Sequence, residues 1–220
     1  MPPLDLPPLY AILDPEQTQG RDPATVLQAL LEGGSKIVQL RAKTLAPRDF
    51  LELARAIREL TRKSECRFIV NDRVDIALAC GADGVHLGQE DLPLTAARKL
   101  MAGRIIGIST HSEGQAREAE RNGADYIGFG PMFGTTTKAT GYAARGTDML
   151  RQLRPAVKVP IVAIGGITET NVTQVWEAGA DSAAIISDIL AAEEIASKVA
   201  RILRLSRAST QPYDVYQEKA

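Results

Sequence analysis

The stretch Gly81-Ala82-Asp83-Gly84-Val85-His86-Leu87-Gly88, GADGVHLG, decides how this 220-residue chain folds. Glycine closes the helix-like segment before it, because glycine takes the left-handed backbone of a helix C-terminus without steric cost. A short apolar run then begins at once. The same tripeptide returns as Gly123-Ala124-Asp125 before YIGFG and as Gly179-Ala180-Asp181 before SAAIIS. Each copy ends a helix and enters a strand, and successive copies lie two strand-helix units apart.

Between these anchors the other units fall into place. Strand-like runs span Leu9 to Leu13, Lys36 to Arg41, Arg67 to Asp72, Gly84 to Gly88, Arg104 to Ser109, Tyr126 to Gly130, Pro160 to Gly166 and Ser182 to Ser187. Helix-like segments follow most of them. One is Ala24 to Glu32, stopped by Gly33-Gly34, and another is Pro47 to Lys63, with proline suited to a first helical turn. Near-continuous apolar strands alternating with helices indicate a parallel sheet covered on its outer face. Eight units predict a single-domain α/β fold, the (β/α)8 TIM barrel. The length is at the small end for that fold, which typically takes roughly 250 residues. A flavodoxin-like sheet is the alternative, but it needs only five such units. The barrel is expected over residues 1–206, with MPPLDLPP as an irregular lead-in and 207–220 as a loosely ordered tail.

Composition excludes several classes. Hydrophobic residues make up 45% and charged residues 24%, with a net charge of −1. Such a balance provides no general field for nucleic acid, so any anion site must be local. Cys66 and Cys80 lack metal spacing and read as small core residues rather than a disulfide framework. No apolar run reaches about 18 residues, and the start lacks the pattern of a signal peptide. The expectation is a cytoplasmic enzyme acting on small molecules, without nucleic-acid or membrane partners. A homo-oligomer is compatible with the sequence, which leaves assembly open.

In a (β/α)8 barrel the chemistry sits at the C-terminal ends of the strands. Those ends are polar here. They present Gln39, Arg41 and Lys43; Asn71 and Asp72; Gln89, Glu90 and Asp91; Ser109 with His111 beyond; the loop FGTTTKATG; Gly165-Gly166; and Ser187. Asp72 and Asp91 follow adjacent strands, and a pair of carboxylates with substrate phosphates and water suits Mg2+. Asp72 also fits an N-cap for the helix starting near Val74, and Asp91 a cap for the helix near Pro93. The pairing at one face favours the metal. Arg41, Lys43 and Lys138 suit phosphate. Thr135, Thr136 and Thr137 add hydroxyls and backbone amides. Gly165 and Gly166 permit close backbone approach, and Ser187 opens the last helix, whose amides favour an anion. A double glycine that is only a tight turn is the plainer alternative. His86, inside its strand, reads as a packed core residue. Two anion regions emerge, one suited to a diphosphate and one to a monophosphate. The spacing contains no Cys-His or Ser-His-Asp arrangement, which argues against covalent nucleophilic catalysis.

QLRAK, VNDRVDIA, GADGVHLGQED, GIST, GADYIGFGPMFGTTTK, VAIGGI and the final IIS occur in order from Gln39 to Ser187. Together they resemble the thiamine-phosphate synthase (thiamine-phosphate pyrophosphorylase) family. The resemblance implies a Mg2+-dependent transferase of thiamine biosynthesis. It would join 4-amino-2-methyl-5-(diphosphooxymethyl)pyrimidine to a thiazole phosphate and release diphosphate through a dissociative, carbocation-like step. It implies pyrimidine contacts from Gln39, Leu40, Arg41, Ala42, Lys43, Asn71, Ser109 and Lys138, with Arg41, Lys43, Ser109 and Lys138 as the catalytic set. Asp72 and Asp91 would hold Mg2+. Thr135, Thr136, Thr137, Gly165, Gly166, Ile186 and Ser187 would take the thiazole phosphate. QLRAK carries Ala42 where many relatives have an acidic residue, which bears on affinity rather than chemistry. The related thiazole tautomerases carry a catalytic histidine where this sequence has Pro131. A non-catalytic phosphate-binding barrel would have no need for both Asp72 and Asp91.

Overall fold

The structure is a computed structural model that describes residues 4–134 and 143–209, with side chains to 206. Thr135, Thr136, Thr137 and Lys138, and most of the expected tail, lie outside the described residues. The eight expected strands form, as β1 (Leu9–Leu13), β2 (Ile37–Leu40), β3 (Arg67–Asn71), β4 (Gly84–Leu87), β5 (Ile105–Thr110), β6 (Tyr126–Phe129), β7 (Ile161–Ile164) and β8 (Ser182–Ile185). They pair in chain order, and β8 returns to β1 with Leu9 opposite Ala183, closing a parallel barrel.

Among the described residues the outer layer comprises α1 (Pro23–Glu32), α2 (Pro47–Lys63), α3 (Val74–Cys80), α4 (Leu94–Leu100), α5 (Glu113–Arg121), α6 (Gly146–Leu153), α7 (Val172–Glu177), α8 (Ser187–Leu190) and α9 (Ile195–Ser209). Ser187 therefore opens the short α8 and not the last helix, because the chain turns once more before α9. Helix ends carry the expected chemistry. Asp22 accepts from Thr25 N–H at the start of α1, and Gly81 adopts φ +70° at the end of α3.

Strand alternation divides the core in two. Phe68, Val70, Val85, Ile106 and Ile127 face outward and pack with the helices. Tyr10, Ile12, Ile37, Ile69, Tyr126, Val162 and Ala184 face the lumen. The lumen is narrow, and glycine makes the space: a Cβ on Gly107 would lie 2.0 Å from the Tyr126 ring. Cys66 is buried, and burial pushes its thiol pKa up to about 12.

The three GAD aspartates act at the N-terminal face. Asp83 accepts from Phe68 N–H and Arg58, each at 2.8 Å. Asp125 accepts from Ile106 N–H at 2.7 Å and from Arg98 at 2.6 Å. Asp181 accepts from Ile161 N–H and Arg154, each at 2.7 Å. Each carboxylate clasps the start of the preceding strand to an arginine of the outer layer.

Candidate active site

The C-terminal face of the barrel opens into a cavity of about 130 Å3. Strand ends from all round the barrel reach it, because inward positions at the last turn of each strand point at the axis. Gln39, Arg41, Asn71, Ser109, Gly165, Gly166, Ile186 and Ser187 all line it. A second, smaller pocket alongside is lined by Ala42, Lys43, Asn71, Asp72 and Arg73. Asn71 borders both. Leu40 is fully buried on the outer side of its strand among the core residues, so its side chain stands away from the cavity. Ala42 joins the same outer cluster while bordering the smaller pocket.

Neither carboxylate is a helix cap. Arg73 holds the N-cap position of α3 and Pro93 that of α4, with no side-chain cap bond at either. Asp72 instead sits at φ +62°, a left-handed backbone rare for residues other than glycine and asparagine or aspartate. That turn sends its carboxylate to Lys43, whose Nζ lies 2.5 Å away. Asp91 turns back to accept from Gly88 N–H at 2.6 Å. The two carboxyls also meet each other, and their proton affinities diverge. Burial pushes Asp72 up, but hydrogen bonds with Lys43 and Asp91, together with the charge of Lys43, outweigh it and hold it below the usual carboxylate range. Burial raises Asp91, and the hydrogen bond and charge of Asp72 raise it further.

No group of three or more His, Cys, Asp or Glu side chains that could hold a metal is present among the described residues. Two hard oxygen donors are what Mg2+ takes when substrate phosphates and water supply the rest. The crowding of Asp72 and Asp91, with one ammonium against them, fits such a cation: it is a concentration of negative charge that a divalent ion relieves.

The glycine pair forms the opposite wall. Gly165 and Gly166 adopt φ +99° and +65°, and a Cβ on Gly165 would lie 2.6 Å from Pro131. Asn171 holds this loop, donating to Gly166 C=O at 3.0 Å and accepting from Thr168 N–H at 2.8 Å. Lys198 ties it to α8 by bridging Glu169 and Asp188, 3.0 Å from each.

Several participants escaped the sequence reading. Asp14, fully buried at the end of β1, pairs with the Arg41 guanidinium and fixes its direction. Tyr10 and Tyr126 lie in the cavity floor. His86 is buried as expected but faces the lumen, with Nε2 2.9 Å from Ser109 Oγ. Arg73 donates twice to Asp75, at 2.8 and 2.6 Å, and so has a local partner.

A closed (β/α)8 barrel whose cavity and polar strand ends share the C-terminal face has the architecture of TIM-barrel enzymes. The family model for thiamine monophosphate synthase matches residues 9–189, and the chain belongs to that family. The thiamine-phosphate synthase of Chloroflexus aurantiacus is 45% identical over 203 residues, covering 92% of this chain and 94% of that protein. That of Moorella thermoacetica is 46% identical over 195 residues, covering 88% and 93%. Among solved structures, thiamine phosphate pyrophosphorylase from Pyrococcus furiosus superposes with a TM-score of 0.85 at 36% identity, covering 93% of this chain and 97% of that one.

Proposed function

We propose that this chain condenses 4-amino-2-methyl-5-(diphosphooxymethyl)pyrimidine with a thiazole phosphate to give thiamine phosphate and diphosphate. The observation that carries this reading is one cavity flanked by two differently built anion regions, in a chain of this family. On one side stand Asp72, Asp91 and Lys43. On the other stand Gly165, Gly166, Ile186 and Ser187.

The methylene–oxygen bond breaks and its electron pair leaves with diphosphate. The aminopyrimidine ring delocalises the resulting cation, and the thiazole nitrogen donates its lone pair to form the new carbon–nitrogen bond. Arg41, held by Asp14, and Lys43 stabilise the charge that accumulates on the leaving group, with Lys138 assigned the same task by the family motif. Gln39, Asn71 and Ser109 orient the ring. Asp72 and Asp91 would hold Mg2+, which would supply further positive charge for diphosphate. The reaction asks for no strong base, so positioning and electrostatics carry it. Losing one well-placed charge contact costs about 10²–10³ in rate by analogy with oxyanion-hole donors.

The test mixes purified protein, both substrates and Mg2+, and measures thiamine phosphate and diphosphate in equal amounts. Absence of both products across metals and pH overturns the reading.

A further inference from the structure

Five side chains from five strands form one hydrogen-bonded chain through the lumen. Gln39 Nε2 lies 3.1 Å from the Tyr10 hydroxyl, which lies 2.7 Å from that of Tyr126. The Tyr126 hydroxyl lies 3.0 Å from His86 Nδ1, and His86 Nε2 lies 2.9 Å from Ser109 Oγ. Buried polar groups cost stability unless paired, and a phenylalanine would fill either tyrosine site without that demand. Two glycines make the room. A Cβ on Gly107 would collide with the Tyr126 ring, and one on Gly128 would lie 3.1 Å from His86 Cε1.

One arrangement of the hydrogens satisfies every link. An amide nitrogen donates only, so Gln39 donates to Tyr10. In this arrangement the one hydrogen of Tyr10 turns to Tyr126. The Tyr126 hydrogen then goes to Nδ1 of His86, in the tautomer that leaves this nitrogen bare. In that tautomer Nε2 carries the proton and donates to Ser109, leaving the Ser109 hydrogen for the cavity. Burial, foremost, pushes both phenols well above their ordinary range, so each keeps its one hydrogen. No single link can reverse alone, because reversal sets two hydrogens or two lone pairs face to face.

We propose that Tyr10, Tyr126 and His86 are positioning residues that lock the Gln39 amide and so make the site select an amino-substituted nitrogen heterocycle over its oxo counterpart. This rests on the pyrimidine reading above. With Nε2 tied to Tyr10, the amide presents Oε1 as acceptor beside its second N–H as donor. That pair complements a ring nitrogen next to an amino group, as glutamine reads adenine. An oxo ring shows the opposite pattern and needs the amide flipped. A flipped amide sets Oε1 against Tyr10 and forces every link as far as Ser109 to reverse.

Two measurements test this. The sequence has two histidines, so 15N-histidine NMR resolves His86 directly. The expected spectrum shows one tautomer, protonated at Nε2, that becomes a mixture in Tyr126→Phe. A His86 protonated at Nδ1 overturns the proposal. The second measurement compares kcat/KM for the amino-pyrimidine diphosphate and its 4-oxo analogue. Tyr126→Phe is expected to narrow their ratio by about tenfold, the effect of one lost hydrogen bond. A ratio that stays constant while both rates fall marks a merely structural role and overturns the proposal. Should Tyr126→Phe melt below the assay temperature, Tyr10→Phe cuts the chain one link away and is held to the same ratio. A wild type that turns over neither ring defeats the proposed function alone, and the His86 tautomer then decides this inference.

Discussion

At the N-terminal face, Asp83, Asp125 and Asp181 each meet one arginine and one strand N–H. At the C-terminal face, Asp72 and Asp91 meet each other, with Lys43 as the ammonium paired to Asp72. One residue type serves opposite ends. A carboxylate matched in charge and hydrogen bonds holds the fold together. A pair left with excess charge, one member on a left-handed backbone, is poised to bind something positive.

Substitutions at the two faces should separate these roles. The largest effect is expected for Asp72→Ala, which should lower turnover by about 10²–10³-fold, while the thermal midpoint moves little. Intact turnover would remove Asp72 from the proposed metal site. Asp125→Ala should do the reverse. It strands Arg98 and the Ile106 N–H, costing roughly 2–3 kcal/mol and lowering the midpoint by about 5–10 °C, with kcat retained. A fall in kcat without a fall in midpoint would break the comparison.

Asp91→Asn sharpens it through pH. Asp91 is raised from its ordinary value of 3.8, so the folded state holds its proton more tightly than the unfolded state does. The stability this gives is full below the ordinary value and is lost as pH rises through the elevated one. In metal-free protein at neutral pH, removing that charge should therefore raise the midpoint, by up to about 1 kcal/mol of stability, and flatten its dependence on acidic pH. Melting curves in chelator across pH check this. A midpoint that falls at neutral pH would show that Asp91 is charge-matched like its counterparts below. The smallest effect belongs to Arg58→Lys, which keeps the charge and loses the planar fork; it should cost about 0.5–1 kcal/mol and leave kinetics unchanged.

The cavity-lining polar residues were legible because they end strands. Gln39, Arg41, Asn71, Ser109 and the Gly165-Gly166 pair stand where an apolar run gives way to polar residues, and all reach the cavity. Asp14 follows β1 in the same manner and could have been found by asking what the first strand ends with. Tyr10, Tyr126 and His86 lie within strands and left a weaker signal. Parallel strands buried on both faces read as continuous apolar runs, so alternation does not reveal which positions look into the lumen. Glycines at lumen positions of three neighbouring strands, Gly84, Gly107 and Gly128, were the available clue.

Local chemistry sufficed for the element order. Glycine at helix ends, aspartate before strands and eight apolar runs are short-range features, and they predicted a barrel that the closed β1–β8 pairing bears out. The lumen chain depends on closure itself, and the carboxyl pair on the pairing of β3 with β4. Closure brings residues 10, 39, 86, 109 and 126 within hydrogen-bonding reach across one axis. The pairing of β3 with β4 sets Asp72 against Asp91, so their proton affinities become properties of a shared space that neither segment has alone.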